Sequence, residues 1–301
     1  MKSLCNRILK LSLLFIASVP VVRAGSDAIP NPIAQALNVE IVLDQQEIAV
    51  PIQSAANAGA QYGLVGAIVT AAIDNEKAKK AEKIVFDIRN LLIDFNFNQS
   101  IVDALKAAVR SSGISPSPII VVHNTALDAA ADQQASMDEP KQSVLRIIPR
   151  YTLSDNFEML SVDLQVFYVQ KSLKDSGKII ESIDFTRYYG FQFSLKKMPH
   201  SGAEEDAARW IDVGKERITT MLEHGVSQVA DMLAYDFSAE GRKIAMNPPV
   251  SKMTEFEGRK YRGVIRQTPN YIWTASGKSK RRSIIGVQSV PEAASTGISV
   301  P

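Results

Sequence analysis

Cysteine is almost missing from this chain: its 301 residues hold one, Cys5, with only three histidines and two tryptophans. A single thiol excludes an internal disulfide and every cysteine-rich zinc site. Long apolar runs are scarce as well. Leu11 to Val22 is short, Ser54 to Ile73 is interrupted by Asn57 and Gln61, and neither offers the ~20 apolar residues that a membrane-spanning helix requires. There is no Gly-x-Ser-x-Gly elbow and no His-Glu-x-x-His pair. The glycines of Gly59-Ala60-Gln61-Tyr62-Gly63-Leu64-Val65-Gly66 come without a Walker lysine or dinucleotide spacing. These absences argue against the common hydrolase, metalloprotease, nucleotide and flavin classes, and no cofactor or metal is expected.

What is present begins with compartment. Lys2, Arg7 and Lys10 precede the apolar run, and Val22-Arg23-Ala24 supplies small residues where a signal peptidase cuts. Residues 1–24 are therefore expected to be a signal peptide. Cys5 lies ahead of the apolar run, where lipid attachment has no use for it. The expected location is periplasmic, with membrane association through a retained leader as the alternative. The four leader cations carry the apparent basicity, since without them 30 Lys and Arg face 32 acids. The remaining charge is uneven: Gly241 to Pro301 holds eleven Lys or Arg against three Glu. That asymmetry suggests a basic appendage on an acidic body.

Periodicity supplies the elements. Asn38 to Ile52 reads as one or two strands, ended by Pro51, and Ile119 to Val122 as a short buried strand. Leu160, Val162, Leu164, Val166 and Tyr168 alternate with Ser161, Asp163, Gln165, Phe167 and Val169, so one face is apolar and the other begins polar and ends apolar. With Val144 to Leu153 before them and Lys178 to Leu195 after, they predict an antiparallel meander. Residues 54–73 read as a helix packed against a sheet or inserted in a membrane, and Lys77 to Ile93 as an amphipathic continuation. A further helix is expected from Gln99 to Ser111. The capping box Ser201-Gly202-Ala203-Glu204 predicts one long helix carrying Ile211, Ile218, Leu222, Val229 and Leu233. Thr125 to Ala135 reads as a short helix or a loop. The expected architecture is α+β: a central, largely antiparallel sheet covered by helices over 25–240, a small basic β appendage over 241–290 and a frayed tail over 291–301.

Chemistry is sparse. His123 ends the Ile119 to Val122 strand, a common place for a catalytic group in α/β folds, and is the weak candidate for a hydrolase site. His200 and His224 lack partners at metal-ligand spacing, and Asp94 with Asp74 or Glu76 is a glycosidase dyad only on paper. The basic C-terminal region mixes Arg259, Lys260, Arg262, Lys278, Lys280, Arg281 and Arg282 with Tyr261 and Trp273. In an exported chain this predicts contact with an anionic envelope component or an acidic partner, and no nucleic acid.

Tyr62-Gly63-Leu64-Val65-Gly66-Ala67, the charged Asp74 to Glu82, and Ile88-Arg89-Asn90-Leu91-Leu92 with Asp94-Phe95 together resemble a pattern in uncharacterised exported proteins and lipoproteins of Gram-negative bacteria. The resemblance covers the first half of the mature chain and implies an envelope location. This chain departs from the lipoproteins in having no cysteine at the cleavage site. The expected role is a non-catalytic periplasmic accessory or binding protein. The alternatives are a hydrolase near His123 and a membrane-associated assembly protein using residues 54–73.

Overall fold

A computed structural model describes residues 36–49, 83, 86–125, 141–198, 202–246, 253–278 and 280–290. The expected leader, the 54–73 helix, the stretch beyond Thr125, His200 and the tail lie outside the described residues.

The core is an eight-stranded mixed sheet. Its strands are β1 (Ala36–Val42), β2 (Ser117–His123), β3 (Lys141–Leu153), β4 (Met159–Leu173), β5 (Ile179–Ser194), β8 (Val264–Gln267), β9 (Ile272–Lys278) and β10 (Arg281–Ser289). The spatial order is β2-β1-β3-β4-β5-β10-β9-β8. The β3-β4-β5 meander forms as the alternation predicts, with Val162 opposite Phe191 and Leu164 opposite Tyr189. The sheet is less antiparallel than expected, because β1 pairs in parallel with both β2 and β3, and β10 pairs in parallel with β5.

That last pairing changes the reading of the C-terminal region. A separate appendage over 241–290 was expected. Instead β10 runs beside β5 for nine residues, from Arg281 opposite Thr186 to Ser289 opposite Ser194, and β9 and β8 continue the same sheet. Only β6 (Thr254–Phe256) and β7 (Arg259–Tyr261) stand apart, as a two-stranded hairpin. The edge of β5 left open by the meander is a backbone template, and β10 satisfies it.

Four helices have their bounds set among the described residues: α1 (Phe97–Ser111), α2 (Ala203–Val213), α3 (Lys215–Phe237) and α4 (Ala239–Met246); residues 86–91, within the stretch expected as helix from Lys77 to Ile93, are helical too. Asn96 caps α1, its Oδ1 accepting from the Gln99 amide at 3.0 Å, so the helix starts slightly earlier than predicted. The single long helix expected after Ser201 is two, α2 and α3, separated by Gly214 at φ 79°. That left-handed conformation breaks the helical ladder and is open to glycine. Ile211, expected on the buried stripe, is 38% exposed, and Trp210 takes its place in the core. The N-terminal cap also shifts by one residue, with Glu205 Oε2 accepting from the Gly202 amide at 2.6 Å.

α1 and α3 pack together on one face of the sheet. Leu37, Val39, Ile41, Leu145, Ile147, Val162, Leu164 and Phe191 line that face, and Ile101, Leu105, Leu222, Val229 and Leu233 answer them. α3 comes so close to β4 and β5 that a Cβ on Gly225 would lie 2.8 Å from Val162 Cγ2 and 3.2 Å from the Phe193 ring. Trp210 Nε1 donates to Phe157 O at 2.7 Å and holds α2 on the same side. β2 is an edge strand. Its alternation buries Ile120 and Val122 toward the helices and leaves Ile119 and Val121 exposed, so it is not buried on both faces as expected.

Candidate functional site

The β9–β10 hairpin sets Lys278 opposite Arg281, both exposed, with exposed Lys280 beside them. The Thr186 amide donates to Lys280 O at 2.8 Å, which fixes this turn alongside the middle of β5. The Ala275 amide donates to Gly263 O at 2.8 Å and brings exposed Arg262 to the same end of the sheet. Arg259 and Lys260 are exposed on β7, just before it in the chain. The side chains of these six cations form no ion pair or hydrogen bond with the described residues, in contrast to Arg146, Arg150, Lys171 and Arg187. Such a corner projects a positive field into solvent.

Arg282 does not belong to it. Predicted as a surface binding residue, it is 4% exposed and points to the helix-covered face, because adjacent residues of a strand face opposite ways. In the β5–β10 register it stands directly beside Arg187, which is fully buried. Asp236, at the end of α3, lies between them. Arg187 Nε donates to Asp236 Oδ2 at 3.0 Å, Arg282 Nη1 lies 3.2 Å from Oδ1, and Tyr189 Oη donates to Oδ2 at 3.0 Å. Arg187 Nη1 also donates to Thr186 O at 2.9 Å, and Arg282 Nη1 to Gly241 O at 3.2 Å, which ties α4 to the sheet. Burial, reinforced by the Asp236 charge, holds the Tyr189 phenol well above its usual range, so it remains a donor. Two guanidinium groups share one carboxylate in a desolvated core.

The opposite face of the sheet carries a charge ladder across four strands. Lys171 Nζ donates to Glu40 Oε1 at 2.8 Å, Arg146 Nε to Glu40 Oε2 at 3.0 Å, and Arg146 reaches on to both oxygens of Glu181 at 3.1 and 3.3 Å. Lys171 is 3% exposed, so its ammonium depends on Glu40. Further along, Asp163 accepts from Tyr188 Oη at 2.6 Å and from Ser161 Oγ at 2.8 Å. Burial raises the Asp163 carboxyl above the usual carboxylate range, against the pull of those two hydrogen bonds and of Arg150. Tyr188 is raised by burial and by the Asp163 charge. Gly190 makes room for the pair, since a Cβ there would lie 2.7 Å from Asp163 Oδ1.

His123 is the last residue of β2, 5% exposed, opposite Val42 of β1, and its carbonyl accepts from the Leu43 amide at 2.8 Å. His224 is half-buried on α3 and packs edge-on against Phe191 with centroids 5.3 Å apart, and burial lowers its pKa against the pull of Asp231. Asp94 is exposed and paired with Lys215. Its suggested dyad partners Asp74 and Glu76 lie outside the described residues. Among the described residues no three His, Cys, Asp or Glu gather as a metal site, and no helix is long and apolar enough to cross a membrane.

Arg187, Asp236, Glu40, Lys171 and Asp163 are all missed by motif reading. Arg187 and Asp236 do carry a signal, a charge set among apolar residues of a strand or helix, which a folded chain must pair, whereas Glu40 and Asp163 fall at the polar positions of alternating strands and read as exposed. No family model, curated protein or solved structure matches this chain. What it can be assigned to is an architecture, an α+β fold built on a mixed sheet.

Proposed function

We propose that this chain is an exported, non-catalytic accessory or binding protein of the bacterial cell envelope, and that its basic corner holds an anionic envelope component. The observation that carries the reading is the gathering of Arg262, Lys278, Lys280 and Arg281 at one end of the sheet, exposed and without acidic partners among the described residues. The leader-like start and the resemblance to exported Gram-negative proteins support the location. A catalytic role for His123 finds less support, because its nearly complete burial on an edge strand suits a packing role.

The test is sedimentation with vesicles containing anionic lipid, at low and high salt. Each Lys or Arg near an anionic surface contributes ~1 kcal/mol, so K278E/K280E/R281E weakens binding by about a hundredfold or more. Wild-type binding that high salt leaves intact, or a triple variant that binds like wild type, sinks the reading. Retention by an acidic protein partner in place of vesicles redirects it to that partner. Fractionation of expressing cells, with the mature N-terminus read by mass spectrometry, tests export: a soluble periplasmic product starting near Gly25 is expected.

A further inference from the structure

The two edges of the sheet are built differently. At one end β8 is four residues long, slips register against β9 between Val264 and Arg266, and folds the Arg266 guanidinium over the Trp273 ring at 3.9 Å. A short, bulged edge carrying a cation resists further pairing. At the other end β2 runs seven residues in unbroken register with β1, and Ser117-Pro118-Ile119-Ile120-Val121-Val122-His123 holds no Lys, Arg, Asp or Glu. Ile119 and Val121 are 57 and 40% exposed there. The direction of its backbone groups follows from one bond. The Leu43 amide donates to His123 O, so His123 faces β1, and because these directions alternate along a strand, Ile119 and Val121 face β1 as well. Pro118, Ile120 and Val122 turn theirs outward, where no strand among the described residues pairs with them. The missing N–H of Pro118 falls on this open side, where a strand tolerates it. Three carbonyls and two amides remain in an extended row, groups that another β-strand satisfies.

We propose that the outer edge of β2 pairs antiparallel with β2 of a second copy of this chain, about a two-fold axis through Ile120, joining two eight-stranded sheets into one. In this register Ile120 exchanges both backbone bonds with its own copy, and each Val122 amide donates to the Pro118 carbonyl across the axis. The Val122 carbonyl, opposite the missing proline donor, stays with water at the rim. Ile119 stands opposite Val121 in the non-hydrogen-bonded position, where cross-strand side chains come closest. An axis through Val121 would set Ile119 against His123, already buried, and join fewer of the exposed apolar side chains. The edge fits its like because the pattern is self-complementary: reversed about Ile120, donor meets acceptor and exposed apolar meets exposed apolar. A copy brings no like charge to repel it, and an acidic or basic partner finds nothing in β2 to answer its charge. This surface lies at the far edge of the sheet from β9 and β10 and does not rest on the basic corner.

The experiment is sedimentation equilibrium of the full chain over a concentration series, paired with amide hydrogen exchange. One strand pair makes a small interface, so a dimer that dissociates in the micromolar range is expected, with the Ile120 and Val122 amides protected in the dimer and exchanging freely in the monomer. Ile119→Lys/Val121→Lys alters only exposed positions, so it keeps the fold by circular dichroism, and it sets like charges opposite one another, which weakens dimerisation by about tenfold or more. In a Cys5→Ser background, a mixture of Ile119→Cys and Val121→Cys chains crosslinks under mild oxidation faster than either chain alone. The K278E/K280E/R281E variant dimerises like wild type even where it loses vesicles, which separates this edge from the corner. A chain monomeric up to about 1 mM, or an Ile119→Lys/Val121→Lys dimer as tight as wild type, overturns the proposal. So does crosslinking of Val121→Cys alone at the rate of the mixture. Protection of both amides in the monomer means that a segment of the same chain holds the edge, and it overturns the proposal too.

Discussion

Replacing Asp236 by Asn is the sharpest perturbation of this fold, because it changes charge at nearly constant shape. Asp236 is 1% exposed and is the carboxylate shared by Arg187 and Arg282. Its Oδ2 accepts from Arg187 Nε and Tyr189 Oη, both at 3.0 Å. In the Asn variant two buried guanidinium groups lose their counter-charge at once. Removing one partner of a buried ion pair costs ~3–5 kcal/mol, chiefly through the charge left behind. Domains of this kind have ~5–15 kcal/mol of total stability, so the loss is a large share of the whole. Tyr189→Phe deletes only a hydrogen bond to the charged group and is expected to cost about 1.5–3 kcal/mol. Equilibrium urea unfolding, followed by tryptophan fluorescence, measures both, since Trp210 and Trp273 are buried in the same core. A triple change, Asp236→Leu with Arg187→Met and Arg282→Met, removes all three charges and is expected to recover most of the loss. If Asp236→Asn costs less than about 1 kcal/mol, comparable to an exposed pair, the account of two buried guanidinium groups held by one carboxylate is refuted.

Other outcomes follow from the same geometry. Gly225→Ala drives a Cβ to 2.8 Å from Val162 Cγ2, and about 1–3 kcal/mol of overpacking against up to about 1 kcal/mol of helix propensity gained leaves a net loss in urea unfolding. A variant as stable as wild type would show that α3 can shift outward. Glu40→Gln removes the charge that Lys171 and Arg146 share, and about 3 kcal/mol of stability is expected to go with it. A change under about 0.5 kcal/mol would mean that Glu181 replaces Glu40. Asp163 has a carboxyl pKa raised by burial in the folded state. Between its unfolded value and that raised value the native state binds more protons, so this residue's contribution to stability falls as pH rises through the window. The stability of wild type relative to Asp163→Asn is therefore expected to decline as pH rises above the ordinary aspartate range, about 4, and a difference that stays flat or rises would contradict the desolvated environment assigned to Asp163.

Much of the fold is legible locally. Leu160 to Gln165 alternates because one face of β4 meets the helices and the other is polar there, and the turns at Ser154-Asp155-Asn156 and Asp175-Ser176-Gly177 set the meander. The buried stripe of α3, from Ile218 to Leu233, is equally plain at helical spacing. The break at Gly214 was open to inspection, since glycine inside a helical pattern costs ~1 kcal/mol relative to alanine. The apolar periodicity continues across it and hides the kink.

The candidate site is a different matter. Composition alone shows that cations crowd the C-terminal region, and nothing beyond local charge is needed to place Lys278, Lys280 and Arg281 in a solvent-facing turn. Yet Arg281 and Arg282 are indistinguishable in the sequence. The strand after them has apolar residues at both parities, Ile284 on one face and Ile285 and Val287 on the other, so alternation cannot say which face is the core. Only pairing with β5 decides, and it turns Arg282 inward beside Arg187 and under Asp236. Strand period and helix stripe are short-range properties carried by each segment on its own. Which edge a strand joins, and therefore which charges are buried together, depends on backbone groups far apart in the chain finding partners, and that is settled when the whole core closes.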